Sequence, residues 1–344
     1  MPKSATQNKL GFVQNGLMHL FSDAILEING TILQQTKNPG MCFYLFDMLT
    51  QDSDDLTSSS EFAYSSFSGK ENNTFDFTIP LKNFFTFARD YKKFMIYSRF
   101  DFTFVRARND YNAVVCDKAV TVPTTADGVP EIAELEISKF QLRIPHVAVN
   151  DVLKLKILKS LDSGKEISLP FRSTKYHEFT NIPIATEFEW MIKSSVKRPL
   201  YAIATFQVDK YYNLNTNNSK FDHSKVRSIR LNVNSSAYPF EQLNLNFSDN
   251  YFAEAYKMYL EMKKNALDNK KGAVMTKADF ANDYPIFCFD LSNYDFEIKD
   301  SVVDLKLSCE FHENPAANTN VILVLIYENL FSYNAITNIV NKEI

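Results

Sequence analysis

The architecture of this chain follows from a stretch that begins Pro199-Leu-Tyr-Ala-Ile-Ala-Thr-Phe-Gln-Val208 and ends at Lys264. Its opening run is rich in β-branched and aromatic side chains, which is typical of a strand. After an Asn-rich loop, Lys225-Val-Arg-Ser-Ile-Arg-Leu-Asn-Val233 alternates apolar and polar residues and predicts a second strand with one buried face. Apolar residues then recur with helical spacing, so we predict an amphipathic helix over residues 249–264. A helix is thus expected within a connection between strands.

Most other apolar segments predict further strands. They are residues 21–32, 41–48, 74–79, 94–106, 114–122, 132–144, 186–196, 285–291, 301–311 and 320–331. The last segment is apolar on both faces, so we expect it in the centre of a sheet. Residues 152–157 fit either a solvent-facing strand or a helical turn, and residues 158–183 are mixed, with turn signals.

Two short helices are predicted besides the one over residues 249–264. Pro80 precedes apolar residues with helical spacing over residues 81–90, and proline favours the first turn of a helix. Thr276-Lys-Ala-Asp279 matches a capping-box pattern that begins a helix. We therefore expect short helices between strands in both halves of the chain.

The strands divide into two groups of similar size, each with a helix in a connection. We therefore predict a mainly β chain of two tandem β-sandwiches, with short helices in the inter-strand connections. The N-terminal sandwich is predicted over residues 19–160 and the C-terminal one over residues 161–335. Residues 1–18 and 336–344 are predicted to be flexible tails.

Composition and charge exclude several classes of function. The 344 residues include 30 Phe and 17 Tyr but only 8 Gly, which favours pleated strands over phosphate-binding loops. A net charge of −4, with both signs interspersed, gives no basic surface for sequence-specific nucleic-acid binding. The four cysteines lack short paired spacings, and we expect reduced thiols. No signal peptide is apparent and the apolar run 321–327 is too short to cross a bilayer, so we expect a soluble protein without a transmembrane segment.

No motif for catalysis, nucleotide binding or metal binding occurs in the sequence. The five histidines are isolated from one another, and Asp52-Ser-Asp-Asp55 lacks the Gly and the distal Glu of a calcium loop. The basic residues of 263–271 lie at and beyond the C-terminal end of the predicted helix. There they interact favourably with the negative end of the helix dipole. We therefore expect no catalytic, cofactor-binding or metal-binding residues, no cofactor, and a protein that is not an enzyme.

Four stretches resemble a known family. They are Thr78-Ile-Pro-Leu-Lys-Asn-Phe-Phe85, Arg198-Pro-Leu-Tyr-Ala-Ile-Ala-Thr-Phe-Gln207, residues 221–247 and residues 310–329. Together they are similar to double jelly-roll major capsid proteins of Polinton (Maverick)-like, adintovirus-like elements and related small DNA viruses of animals. The resemblance follows the chain in order over about residues 20–335.

The resemblance implies two eight-stranded jelly rolls side by side and a homotrimer with a nearly sixfold outline. Such pseudo-hexameric capsomers would self-assemble into an icosahedral shell. Partners would be neighbouring capsomers, a single jelly-roll penton and minor capsid proteins. The protein would be made in the host cytoplasm and reside in the virion. The loops at 50–70 and 213–222 would be exposed, and the helix over 249–264 would cover a sandwich flank.

Two further details complete the sequence-based hypothesis. The first eighteen residues carry only Lys3 and Lys9, so direct DNA condensation is not expected. Two alternatives keep the paired sandwiches but change the role. One is a two-sandwich glycan-binding protein or glycan-processing hydrolase, and the other is a domesticated or minor capsid paralogue.

Overall fold

A computed structural model describes residues 9–50, 77–117, 135–162, 164, 166–210, 213–234, 236–266, 275–292 and 303–343. Residues 51–70 of the predicted loop, with the acidic Asp52–Asp55 segment, and residues 74–76 of the predicted strand at 74–79 lie outside these ranges. Residues 77–79 of that prediction are described and do not form a strand. We call residues 9–162 the N-terminal half and residues 166–343 the C-terminal half.

Strands make up most of the regular structure. They are β1 (Lys9–Phe12), β2 (Phe21–Ile28), β3 (Thr31–Lys37), β4 (Phe100–Arg106), β5 (Val114–Asp117), β6 (Ile167–Phe179), β7 (Glu187–Ile192), β8 (Pro199–Val208), β9 (Val226–Val233), β10 (Ser236–Tyr238), β11 (Phe287–Asp290), β12 (Leu305–Phe311), β13 (Thr319–Tyr333) and β14 (Val340–Lys342). The helices are α1 (Pro39–Thr50), α2 (Thr86–Asp90), α3 (Asp151–Asp162), α4 (Ala253–Ala266) and α5 (Lys277–Asn282), with 3₁₀ turns at Gly16–Leu20 and Leu81–Asn83. The mainly β fold class is confirmed.

The C-terminal half is a sandwich of two antiparallel sheets. A five-stranded sheet runs β11-β8-β13-β14, with β6 on the other side of β13, and a four-stranded sheet runs β10-β9-β12-β7. Phe206 of the first sheet meets Phe311 of the second, with ring centroids 5.7 Å apart. Alternate residues of β12 are buried, as expected for a strand with one face on the core. Aromatic side chains therefore fill the space between the sheets.

Strand β13 lies in the centre of the five-stranded sheet, as its sequence predicts. It pairs with β6 along one edge and with β8 and then β14 along the other. Residues 321–326 are all buried. A strand that is covered on both faces needs apolar side chains at every position, which explains the continuous apolar run.

The described part of the N-terminal half contains a three-stranded sheet, β3-β2-β4, and the pair β1-β5. Aromatic residues again form its core, with Phe84 and Phe104 at 5.0 Å and Phe85 and Phe102 at 5.6 Å between ring centroids. β1 and β14 lie within residues 1–18 and 336–344, so parts of both predicted tails belong to sheets. The division at residue 160 stays a prediction.

Two predicted strands were wrong, and one long strand was missed. Residues 41–48, predicted as a strand, lie in helix α1, whose residues from Pro39 to Leu49 are all buried. An apolar run without alternation does not distinguish a strand from a fully buried helix, and Pro39 marked the helix start. The region 158–183 contains the long strand β6, whose buried Ser173 and Thr174 obscured the pattern. The described part of 132–144 is extended but pairs with no strand that the structure describes.

The remaining helix predictions were confirmed. The segment 81–90 contains a 3₁₀ turn and α2, and the amphipathic segment contains α4. Thr276 and Asp279 form the capping box of α5, with Thr276 Oγ1 accepting from Asp279 N at 3.2 Å. Of the two alternatives for residues 152–157, the structure adopts the helix, α3.

Candidate assembly surfaces

The histidines and cysteines do not form a chemical centre in the described ranges. Burial lowers the pKa of His19 to about 4, and burial together with Lys175 lowers that of His177 to about 4. Burial also raises the pKa of the thiols of Cys42, Cys288 and Cys309 far above its usual value. Within those ranges, no group of three His, Cys, Asp or Glu residues is placed to hold a metal ion. None of the described helices is long and apolar enough to cross a membrane.

The two halves are joined by a polar contact between α2 and the outer edge of β6. Asp90 accepts hydrogen bonds from the Arg172 side chain at 2.9 and 2.6 Å and from its backbone N–H at 3.0 Å. Thr86 donates from its hydroxyl to the Arg172 carbonyl oxygen. An open strand edge exposes unpaired backbone groups, and here the N-terminal half satisfies them. We call this contact, with the residues around it, the seam.

Apolar packing and a second ion pair reinforce the seam. Phe87 of α2 meets Phe171 of β6 edge to face, with ring centroids 5.2 Å apart. Arg89 pairs with the buried Asp47 of α1 at 2.7 Å and lies over the Phe46 ring at 4.6 Å. Burial raises the pKa of Asp47 above the usual carboxyl value, although Arg89 acts in the opposite direction. The Arg89–Asp47 ion pair lies within the N-terminal half and holds α2 against α1, and the Phe87–Phe171 contact joins α2 to β6 across the seam.

The Asn-rich loop at 213–222 was predicted to be exposed, and for its second part this was wrong. Asn218, Ser219 and Phe221 are buried. Ser219 Oγ donates to the Gln14 carbonyl oxygen at 2.9 Å, and the rings of Phe221 and Tyr44 lie 5.9 Å apart. The apolar Phe221 at the end of the loop was the signal for this packing. The loop therefore ties the C-terminal half to the N-terminal half.

Helix α4 also lies between the halves. It packs against β11 and α1, and Tyr259 donates from its hydroxyl to the Met48 carbonyl oxygen at 3.3 Å. The side chains of Phe252, Tyr256 and Tyr259 are buried. The apolar face that the sequence predicted for this helix is therefore turned toward the core.

A different kind of surface lies between β5 and β6. We call residues 136–162 the apolar arm: an extended segment followed by helix α3. Its exposed large apolar side chains are Ile137, Phe140, Leu142, Ile144, Val147, Val152, Leu153, Leu155 and Leu158. A large exposed apolar surface on a soluble chain usually marks an interface, and nine such side chains lie within this one segment.

The arm is held at its start and is then free of polar contacts. Leu135 donates from its backbone N–H to Asp110 at 2.7 Å and accepts from Arg106 at 3.1 Å. Phe140 lies 5.4 Å from Phe104, between ring centroids, on the edge of the three-stranded sheet. No hydrogen bond joins residues 136–149 to any other residue that the structure describes. An extended backbone with unpaired groups and apolar side chains is suited to contact with another chain.

An open cavity of about 350 Å³ lies at the far end of the arm. It is lined by Tyr97, Leu158, Leu161, Ala335, Ile336 and Asn338. Leu161 and Ala335 are buried and form the floor, whereas Tyr97, Leu158 and Ile336 are exposed and form the rim. No sequence pattern indicated this cavity, because its residues come from three separate segments.

Comparison with known proteins identifies a family. Residues 10–331 match the model of the double jelly roll-like domain. No curated protein sequence matches the chain.

Several solved capsid-protein structures are similar to this chain. VP54 of the virus PBCV-1, fitted into a reconstruction of the virophage Sputnik, is 9% identical with a TM-score of 0.49, over 98% of this chain and 88% of that one. The mavirus major capsid protein is 9% identical with a TM-score of 0.48, over 99% and 80%. The Faustovirus major capsid protein is 7% identical with a TM-score of 0.43, over 94% and 73%. Because the family model matches nearly the whole chain, the chain belongs to the double jelly roll-like domain family.

Proposed function

We propose that this chain is a viral major capsid protein, a structural subunit that assembles as pseudo-hexameric trimers into an icosahedral shell. Its jelly rolls span residues 19–160 and 161–335. Its lineage is that of Polinton-like elements and related small DNA viruses, and it resides in the virion. Its partners are neighbouring capsomers, a penton and minor capsid proteins. This role is structural rather than catalytic.

The observation that carries the proposal is the apolar arm on a double jelly-roll chain. A subunit that works through contacts with its own copies needs an accessible apolar surface that its own core does not cover. The arm supplies such a surface, and its occupant is a second copy of this chain. Three chains with two sandwiches each have a nearly sixfold outline, which suits a closed lattice built from one gene product.

The seam supports the same proposal. Two jelly rolls imitate a hexagonal outline only if their relative orientation is fixed. The contacts of Asp90 with Arg172 and of Phe221 with Tyr44 join the halves through both polar and apolar groups. A glycan-binding role lacks comparable support, because the single Trp190 packs against Phe179, with ring centroids 5.9 Å apart, instead of forming an open platform.

The test is the mass and shape of the purified chain. We expect light scattering to give three times the chain mass and electron microscopy to show hexagonal particles. The arm variant Leu142→Asp/Ile144→Asp is expected to be monomeric and to melt at the same temperature as the parent chain diluted until it is monomeric, because both side chains are exposed in the single chain. The control Met191→Asp changes a side chain that is 66% exposed on β7 and is expected to remain trimeric. A parent chain that stays monomeric at high concentration would contradict the proposal.

A further inference from the structure

Phe240 is the most exposed of the large apolar side chains that the structure describes, at 89%. Its backbone is nevertheless fixed, since Arg230 donates to the Phe240 carbonyl oxygen at 3.0 Å. Nearby, Gln242 donates to Glu310 at 2.9 Å. A phenyl side chain on a fixed backbone has only two side-chain torsions to order on binding, which is typical of an interface anchor.

The cavity at the end of the apolar arm has the size and lining for such a ring. An apolar cavity of about 150 Å³ is enough to bind benzene, and this one has about 350 Å³. Hydrogen bonds fix the segments that carry the lining residues. The Asn29 side chain donates to the Asn338 carbonyl oxygen at 3.2 Å, and the Tyr333 hydroxyl donates to the Ile96 carbonyl oxygen at 2.9 Å. The cavity is therefore pre-formed, and its apolar floor is open to a neighbour.

Charge around the two features is complementary. Glu241 follows Phe240 and is exposed. Helix α3, which contributes Leu158 and Leu161 to the cavity, exposes Lys154, Lys156 and Lys159 on its surface. Around the anchor the carboxylates of Glu241 and Glu310 outnumber the single guanidinium of Arg230. Three lysines lie beside the cavity, so the two surfaces attract each other.

We propose that Phe240 of one copy inserts into the cavity between α3 and residues 335–338 of a neighbouring copy. Phe240 does not line the cavity of its own chain, so the proposed contact joins two chains. Phe240 and the cavity are different surfaces of the same chain, so the contact is heterologous. Heterologous contacts form a closed trimer when each copy is rotated by one third of a turn from the last. The inference rests on the proposed function and assigns a residue and a receiving site to the trimer contact.

The decisive experiment is cross-linking between two differently tagged chains. One carries Phe240→Cys and the other Ile336→Cys, both in a Cys116→Ser background, and Cys42, Cys288 and Cys309 are buried and do not compete. We expect an inter-chain disulfide when the two are mixed under mild oxidation. Tyr251→Cys replaces another aromatic residue, 68% exposed, and is expected not to cross-link to Ile336→Cys.

An assembly measurement completes the test. Phe240→Ala is expected to weaken trimer formation at least about tenfold, with trimer formation by Tyr251→Ala unchanged. Both variants should melt at the parent's temperature when all three are measured as monomers. Trimers that form equally well with Phe240→Ala, or that form without the cross-link, would overturn this contact and leave the proposed function intact. A parent chain that forms no trimer would overturn both.

Discussion

Strand β13 and the apolar arm have similar composition and opposite environments. Residues 321–326 of β13 are buried, and strands pair with it on both edges. Residues 137, 140, 142 and 144 of the arm are exposed, and no described strand pairs with the segment. Apolar side chains in β13 therefore stabilise the subunit, whereas those of the arm remain available for a second chain. The comparison separates folding from assembly within one molecule.

The largest expected effect is the loss of a leucine from β13. Leu323→Ala should lower the free energy of unfolding by about 2–5 kcal/mol, because it leaves a cavity in a close-packed core. Leu142→Ala removes the same atoms from the exposed arm and should change it by less than about 0.5 kcal/mol. Urea unfolding of both variants, at concentrations where the chain is monomeric, measures the difference. Equal losses would mean that the arm is part of the folding core.

The sequence predicts the C-terminal half better than the arm or the seam. β8, β9 and β12 each carry their own alternating or β-branched pattern, and local periodicity is enough to identify them. The alternation of residues 137–144 correctly indicated an extended backbone. It could not indicate that the segment lacks a partner, since pairing depends on strands far away in the chain.

The same limit applies to residues that meet across the seam. Asp90 and Arg172 are ordinary charged residues 82 positions apart, and nothing local marks them as partners. The run around Phe43 is apolar throughout, so periodicity could not separate a strand from the buried helix α1. Tertiary context decided both outcomes.

The second expected effect tests whether the seam behaves like the core or like the surface. Asp90→Ala removes the acceptor of a largely buried arginine, and we expect the free energy of unfolding to fall by about 2–3 kcal/mol. The control Glu189→Ala breaks the exposed pair with Lys306 on the four-stranded sheet and should have no measurable effect. Hydrogen exchange should show the added loss of protection in β6. A result equal to the control would show that the seam contributes nothing to stability.

The third effect concerns pH and the buried region around α1. Burial lowers the folded-state pKa of His19 from 6.5 to about 4, so the unfolded chain binds a proton first as the pH falls. The stabilising contribution is complete above pH 6.5 and is lost progressively toward pH 4, at about 1.4 kcal/mol per pH unit. The loss at pH 5 should therefore be about 2 kcal/mol, with His177 acting in the same direction. Urea midpoints at pH 7 and pH 5 measure it.

A matching variant identifies the responsible group. His19→Gln should reduce the slope of the unfolding free energy against pH. The reduction should correspond to the uptake of about one proton fewer on unfolding across this interval. An unchanged slope would assign the acid sensitivity to other groups.

The smallest expected effect is that of removing a helix N-cap. We compare the cap of α5, which packs on the core, with that of α3, which belongs to the apolar arm. Thr276 caps α5, whose Phe280 is buried, and Asn150 caps α3, with its side-chain oxygen accepting from Leu153 N at 2.8 Å. Thr276→Ala should cost about 1 kcal/mol of global stability, as for other helix caps. Asn150→Ala should leave urea unfolding unchanged and instead speed hydrogen exchange in the first turn of α3, because that helix exposes most of its apolar residues. If both variants lowered global stability alike, α3 would unfold together with the core and the arm would not be a separate assembly element.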